Sequence, residues 1–249
     1  MLVFPLRALC LTLVLAALPG TPLAQGKPPA PAPPAPALEI IDRPIRLGTE
    51  RMELTRDYIR KHYGLEVDDA TIVPRAIVIH WTGTRGLKGT WRAFNRVRIR
   101  RARRHLQRGG AVNVSAHFLV ARDGTIYRLM PETWMARHAI GLNYDAIGIE
   151  NMGGGKKVPL TAKQLQANIS LVRYLTARHG GIRYLIGHME WRKVQNLPIF
   201  RELDPTYRNA KADPGPRFMK SLRHGVKDLG LLGAEKDEKS VQKSKEFAK

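Results

Sequence analysis

The stretch AIVIH, from Ala76 to His80, is a continuous apolar run ending on a histidine. Such a run reads as a strand buried on both faces, the kind that parallel sheets contain. Two further stretches share its form. AIGIE, from Ala146 to Glu150, is another short buried strand, and it ends on a carboxylate. Ile182 to Ile186 reads as a strand stopped at Gly187-His188.

Between these strands lie helix and hairpin signals. Thr49 to Tyr63 is expected to be helical, with Thr49 as N-cap and Gly64 as stop. Thr90 to Arg108 is read as one helix ending at Gly109, with Trp91, Phe94, Ile99, Ala102 and Leu106 on a broad face. SAHFLVAR, the turn Asp123-Gly124 and TIYRLM form a β-hairpin signature. Thr161 and Gln164 make a capping box for a helix that runs to His179, where Gly180-Gly181 ends it. Asp213-Pro214 is expected to start a last helix, with Asp213 as its cap. Strands alternating with helices, apart from one hairpin, predict a single α/β domain with a central mixed β-sheet flanked by helices.

The chain has 249 residues, enough for one domain with a full core. Residues 1–24 read as a signal peptide: Arg7 precedes the apolar run Ala8 to Gly20, which is shorter than a membrane span, and Ala24 is a candidate cleavage site, with an uncleaved membrane anchor as the alternative. Residues 25–37 form a Pro/Ala-rich linker, KPPAPAPPAPA from Lys27 to Ala37. The folded region is 38–233, with its core at 74–220, and 234–249 is a charged tail. Cys10, inside the signal run, is the only cysteine. A mature chain without it has no thiol for nucleophilic attack or metal binding. This pattern predicts a periplasmic or secreted protein. The sequence sets no oligomeric state.

Lys and Arg total 42 against 21 for Asp and Glu, a formal net charge of +21. From Arg85 to Arg108 there are ten basic residues and no acidic one. The plain reading is a solvated helix face. The sharper one is an electrostatic contact with an anionic wall polymer or membrane surface. Nucleic acid is not expected, because the segment sits inside the folded domain, the chain carries an export signal, and no nucleic-acid motif is present.

Ligands of α/β sheets collect at the carboxyl ends of strands, where His80, Glu150 and His188 fall. Taken singly, each has an ordinary structural reading: a hydrogen-bonded histidine, an ion-paired carboxylate or, for Asp213, a helix cap. Together, two histidines and a carboxylate make a three-ligand zinc site with a fourth position open to water. Zinc lowers the pKa of that water to about 7, and a nearby carboxylate can carry the proton to a leaving amine. Glu150, at the end of an apolar strand, suits that task through burial. Lys211 can stabilise an oxyanion, against its plain reading as a solvated lysine.

The segments IVIHWTGT, NVSAHFLVARDGTIYRL, RHAIGLN, AIGIENMGG, IGHMEW and KADPGPRF together resemble the type-2 N-acetylmuramoyl-L-alanine amidases. That zinc family includes AmpD-like amidases, phage lysozyme-amidases and peptidoglycan recognition proteins. The resemblance runs from Pro74 to about Phe218. It implies zinc held by His80, His188 and Asp213, Glu150 as catalytic carboxylate and Lys211 as oxyanion partner. It implies hydrolysis of the amide between N-acetylmuramic acid and L-alanine, in peptidoglycan or muropeptides. The alternative is a peptidoglycan-binding module without catalysis.

Two departures stand out. Ala116 occupies a position where some members carry a catalytic tyrosine, which leaves the load on Glu150. The segment RKVQNLPIFRELDPTYRN, from Arg192 to Asn209, lengthens the span between His188 and Asp213. It is read as a substrate-shaping loop or as scaffold, and its Asp204 is a second "DP" aspartate. His117 is expected to be a core or cross-strand histidine. His138 lines the cleft by resemblance, with no catalytic role.

Overall fold

The computed structural model describes residues 38–234. The signal peptide, the linker, Cys10 and the charged tail beyond Ala234 lie outside the described residues.

Six strands form one sheet in the order β1-β4-β3-β5-β2-β6. They are β1 (Ile41–Asp42), β2 (Ala76–Trp81), β3 (Phe118–Val120), β4 (Ile126–Arg128), β5 (Ala146–Asn151) and β6 (Tyr184–Gly187). β3 and β4 pair antiparallel as the expected hairpin, and every other neighbouring pair is parallel. The sheet is therefore mixed, with α-helices packed against it, as the alternation of signals predicts.

Strand alternation sends successive side chains to opposite faces, and this sorts the core. Ile77 and Ile79 of β2, Ile147 and Ile149 of β5, and Phe118 and Val120 of β3 pack against α4 (Ala162–Arg178) and α5 (Pro216–Gly225). Ala76 and Val78, on the other face, meet Ala139, Leu142, Val194 and Ile199. That second face carries His80 and Glu150 at its open end. α1 (Thr49–Tyr63) buries Tyr58 and Ile59 in a neighbouring cluster.

Three expectations are corrected. Thr49 is the first residue of α1, and its N-cap is Gly48, without a side-chain cap bond. Gly64 does end the helix, at φ 65°. The basic stretch is not one helix: α2 (Leu87–Asn95) and α3 (Arg104–Gln107) are separated by a bend at Val97, a bridge at Arg98 and a turn at Arg101-Ala102. Arg98 bridges Val112, with Ile99 N–H donating to the Ala111 carbonyl and Asn113 N–H to Val97. The last carbonyls of α2 are claimed by side chains instead of a following turn. Arg51 donates to Phe94 and Arg96, and Asn113 Nδ2 to Ala93 and Arg96. An unbroken helix would also stack Arg96, Arg100, Arg104 and Arg108 at like-charge i,i+4 spacing. Finally, Asp213 does not cap the last helix. Gly215 is the N-cap of α5 and Pro216 opens it, so the Asp213 carboxylate is free to point elsewhere.

The capping box of α4 forms as read, Thr161 with Gln164. The insertion 192–209 is largely scaffold: Val194, Leu197 and Ile199 are core residues. No helix among the described residues is long and apolar enough to cross a membrane.

Candidate metal centre and catalytic cleft

His80 and Glu150 are register partners on adjacent parallel strands β2 and β5, so both project from one face at the carboxyl end of the sheet. His188 follows β6 immediately. Asp213 reaches the same point because its backbone carbonyl accepts from Met189 N–H at 2.8 Å, docking the loop beside the end of β6.

Three atoms converge there. His80 Nδ1 lies 2.9 Å from His188 Nδ1 and 3.2 Å from Asp213 Oδ2, and His188 Nδ1 lies 3.1 Å from that oxygen. All three residues are buried, and they form the one metal-competent group of three or more among the described residues. Tetrahedral zinc with ligands at about 2.0–2.1 Å spaces them about 3.3 Å apart, close to the triangle found. The donor set is the N,N,O set that zinc accepts. Burial, then the neighbouring His80, pushes His188 down to about 4, so its imidazole is neutral at pH 7. Burial works to raise Asp213, but the neighbouring His188 and His80 outweigh it and hold the carboxyl well below its ordinary range. A neutral imidazole and an ionised carboxylate are the protonation states a metal requires.

Asp204, the other "DP" aspartate, is committed elsewhere: its Oδ1 accepts from Thr206 N–H at 2.8 Å and Thr206 Oγ1–H at 2.6 Å.

The cluster forms one end of a cleft of about 480 Å³, whose walls include Trp81, Arg103, Arg137, Glu150, Tyr207 and Lys211. Glu150 keeps partial exposure to this cleft, while its Oε2 is shut off from solvent without a hydrogen-bond partner. Burial raises its pKa to about 7, with Asp213 adding to the rise and His80, Lys211 and Arg103 opposing it. Lys211 is exposed on the cleft wall, two residues before Asp213. Four of the five predicted residues, Glu150, His188, Lys211 and Asp213, thus line one cleft, and His80 touches His188 and Asp213 at its end.

Sequence reading missed the supports. Asn151 Nδ2 donates to the His80 carbonyl, and Asn168 Nδ2 reaches from α4 to Asn151 Oδ1 at 2.7 Å. Arg137 is buried and donates to the carbonyls of Leu106, Gly110 and Val112 and to Tyr207 Oη. This stitches α3 and the insertion to the cleft wall. Buried polar residues whose supporting contacts reach distant segments leave no local signal for those contacts. His117 is the structural histidine expected. Its Nε2–H donates to the Trp134 carbonyl, and its Nδ1 accepts from Gly148 N–H.

The N-acetylmuramoyl-L-alanine amidase family matches residues 68–216, more than half of the chain. The endolysin of Escherichia phage T7 is 31% identical over 111 residues, 43% of this chain and 69% of the phage protein. The endolysin of Enterobacteria phage T3 matches to the same extent. Among solved structures, the amidase LysC of Clostridium intestinale URNW is 25% identical, covering 63% of this chain and 87% of its own, with a TM-score of 0.43. A selenomethionine AmpD structure is 21% identical, covering 74% of this chain and 94% of its own, with a TM-score of 0.45.

Proposed function

Because the chain belongs to the N-acetylmuramoyl-L-alanine amidase family, we propose that it is a zinc-dependent hydrolase. Its target is the amide joining N-acetylmuramic acid to L-alanine in peptidoglycan or its muropeptide fragments. The observation that carries this reading is the convergence of His80, His188 and Asp213 beside a partly buried, proton-poised carboxylate at the end of an open cleft.

His80 Nδ1, His188 Nδ1 and Asp213 Oδ2 would hold the ion. When bound, zinc supplies a Lewis acid and a water acidic enough to ionise near neutrality. Glu150 receives the proton as water attacks the amide carbonyl. It returns that proton to the departing alanine nitrogen. Burial, which raises this carboxyl to about 7 in the metal-free protein, favours its holding the proton between the two transfers. Lys211 sets an ammonium at the cleft wall, available to the oxygen on which negative charge develops. The products are a free glycan and a free stem peptide.

The test uses purified protein, with zinc content and muropeptide mass spectrometry measured together. Glu150→Ala is expected to keep zinc and lose most turnover. If metal is lost along with activity, Glu150 is a ligand and its assigned role is wrong. Full metal occupancy with no peptide release from the unaltered chain would favour the binding-only alternative.

The export reading is retained as part of the proposal, with a periplasmic protein first and a secreted one second. The basic segment Arg85–Arg108 is proposed to contact an anionic wall or membrane surface. It is a broken, mostly exposed array, not a helix face. Binding to isolated sacculi should fall steeply with salt, and equal binding in low and high salt removes this contact.

A further inference from the structure

His138 sits behind the metal cluster. Its Nε2 lies 3.2 Å from the carbonyl oxygen of Ala146, and its Nδ1 lies 3.0 Å from Nε2 of His80. A backbone carbonyl only accepts, so the proton of the neutral His138 ring resides on Nε2. His138 Nδ1 is then a bare acceptor. The contact to His80 is satisfied only if His80 Nε2 carries a hydrogen, and a neutral His80 is thereby left with a lone pair on Nδ1. That is the atom facing His188 and Asp213. The chain Ala146 C=O, His138, His80 thus carries the orientation of one fixed carbonyl to the tautomer of a ligand.

Three features show that the position of His138 is built. Asn143 Oδ1 accepts from the backbone N–H groups of both His138 and Ala139, pinning the loop. Asn143 Nδ2 in turn donates to Tyr58 Oη of α1. Gly148, in the middle of β5, makes room for the ring: a Cβ there would lie 2.7 Å from His138 Cγ. Glycine weakens a strand interior, and here close approach of the imidazole explains it.

We infer that His138 is a positioning residue that fixes His80 in its Nε2–H tautomer and so presents Nδ1 to the metal. This rests on the metal-centre reading above, and a partner of this kind typically contributes about 10–100-fold to metal affinity.

The test compares the unaltered chain with His138→Phe, His138→Asn and Gly148→Ala. Zinc affinity is read by competition with a chelator. The ring nitrogens of His80 are read by ¹⁵N NMR in the zinc-free protein. His138→Phe removes the acceptor and should weaken zinc binding by about 10–100-fold, with His80 no longer held as one tautomer. His138→Asn places an amide oxygen near the former Nδ1 and should recover most of the affinity. Gly148→Ala touches no ligand, yet should displace the ring and weaken zinc in the same direction. If the unaltered chain binds zinc and His138→Phe binds it equally, the positioning inference falls and the metal centre stands. If the unaltered chain binds no zinc, the metal-centre reading falls. The tautomer spectrum still decides the relay: Nε2–H on His80 in the unaltered chain and in His138→Phe alike would overturn it.

Discussion

Replacing Glu150 by glutamine should make the zinc-stripped protein more stable at alkaline pH. The side chain ends with Oε2 buried and unpartnered, and its pKa is raised from 4.5 to about 7. At about 1.4 kcal/mol per unit, that displacement corresponds to about 3 kcal/mol. Partial exposure to the cleft screens part of it, so about 1–3 kcal/mol is expected. The sign follows from the folded state holding the proton more tightly than the unfolded chain. Stability is fully present below about 4.5 and is lost as pH rises through about 7. Buried histidines oppose this trend. Burial lowers His188 to about 4 and His138 in the same direction, so the folded state gains from both as pH rises toward 6.5. The informative quantity is therefore the difference between the unaltered chain and Glu150→Gln, which share those histidines. Urea unfolding in the presence of a chelator, at steps from pH 4.5 to 8, should give curves that coincide at the acid end. They should separate by about 1–3 kcal/mol at the other end, with glutamine the more stable. Zinc added back should narrow the gap, since its charge favours the carboxylate. Parallel curves across the whole range would mean that Glu150 is solvated like a surface residue, and the case for its poise near neutrality would fail.

Removing a ligand should act on metal and stability together. Asp213→Asn or His188→Ala should abolish stoichiometric zinc binding, and zinc should then no longer raise the melting temperature. In the unaltered chain, metal at 100 times its Kd adds about 2.7 kcal/mol, and an unchanged zinc-induced shift in either variant would exclude that residue as a ligand. Arg51→Met leaves the carbonyls of Arg46, Phe94 and Arg96 without their buried donor. It should cost about 2–3 kcal/mol in urea unfolding, whereas a loss under about 0.5 kcal/mol would show that α2 ends without its help. Asn168→Ala strips Asn151 Oδ1 of its donor from α4. About 1–3 kcal/mol of stability should be lost, with zinc affinity nearly kept, and a large loss of zinc at unchanged stability would reverse that assignment.

The parts of this fold written in local pattern are those a linear reading recovers. β2 and β5 are continuous apolar runs that nothing but burial between two layers accommodates. The capping box at Thr161 and the stop at Gly64 are each decided within a few residues. The basic stretch departs from a single helix, although its apolar spacing suits one, because its ending is set from outside, by Arg51 and Asn113. Asp213 departs from the capping role for the opposite reason. Asp before Pro looks like a helix start, and the true cap lies two residues later at Gly215.

The site divides along the same line. His80, Glu150 and His188 are visible in the sequence because strands expose their last residues at one edge, and a polar residue ending an apolar run is conspicuous. His138 and Gly148 are not visible in this way. Period-two alternation puts Gly148 on the face shared by Ala146 and Glu150, yet alternation alone leaves its lack of a side chain unexplained. The explanation arrives only when the loop at 137–143 folds back and lays an imidazole over that vacancy. A glycine in a buried strand is a request for something from elsewhere in the chain to approach closely. In this chain that something is the ring hydrogen-bonded to His80 Nε2. Had the strand read Ala at 148, the same triad of His80, His188 and Asp213 would be legible in the sequence, but the orientation of its first imidazole would have lost its support.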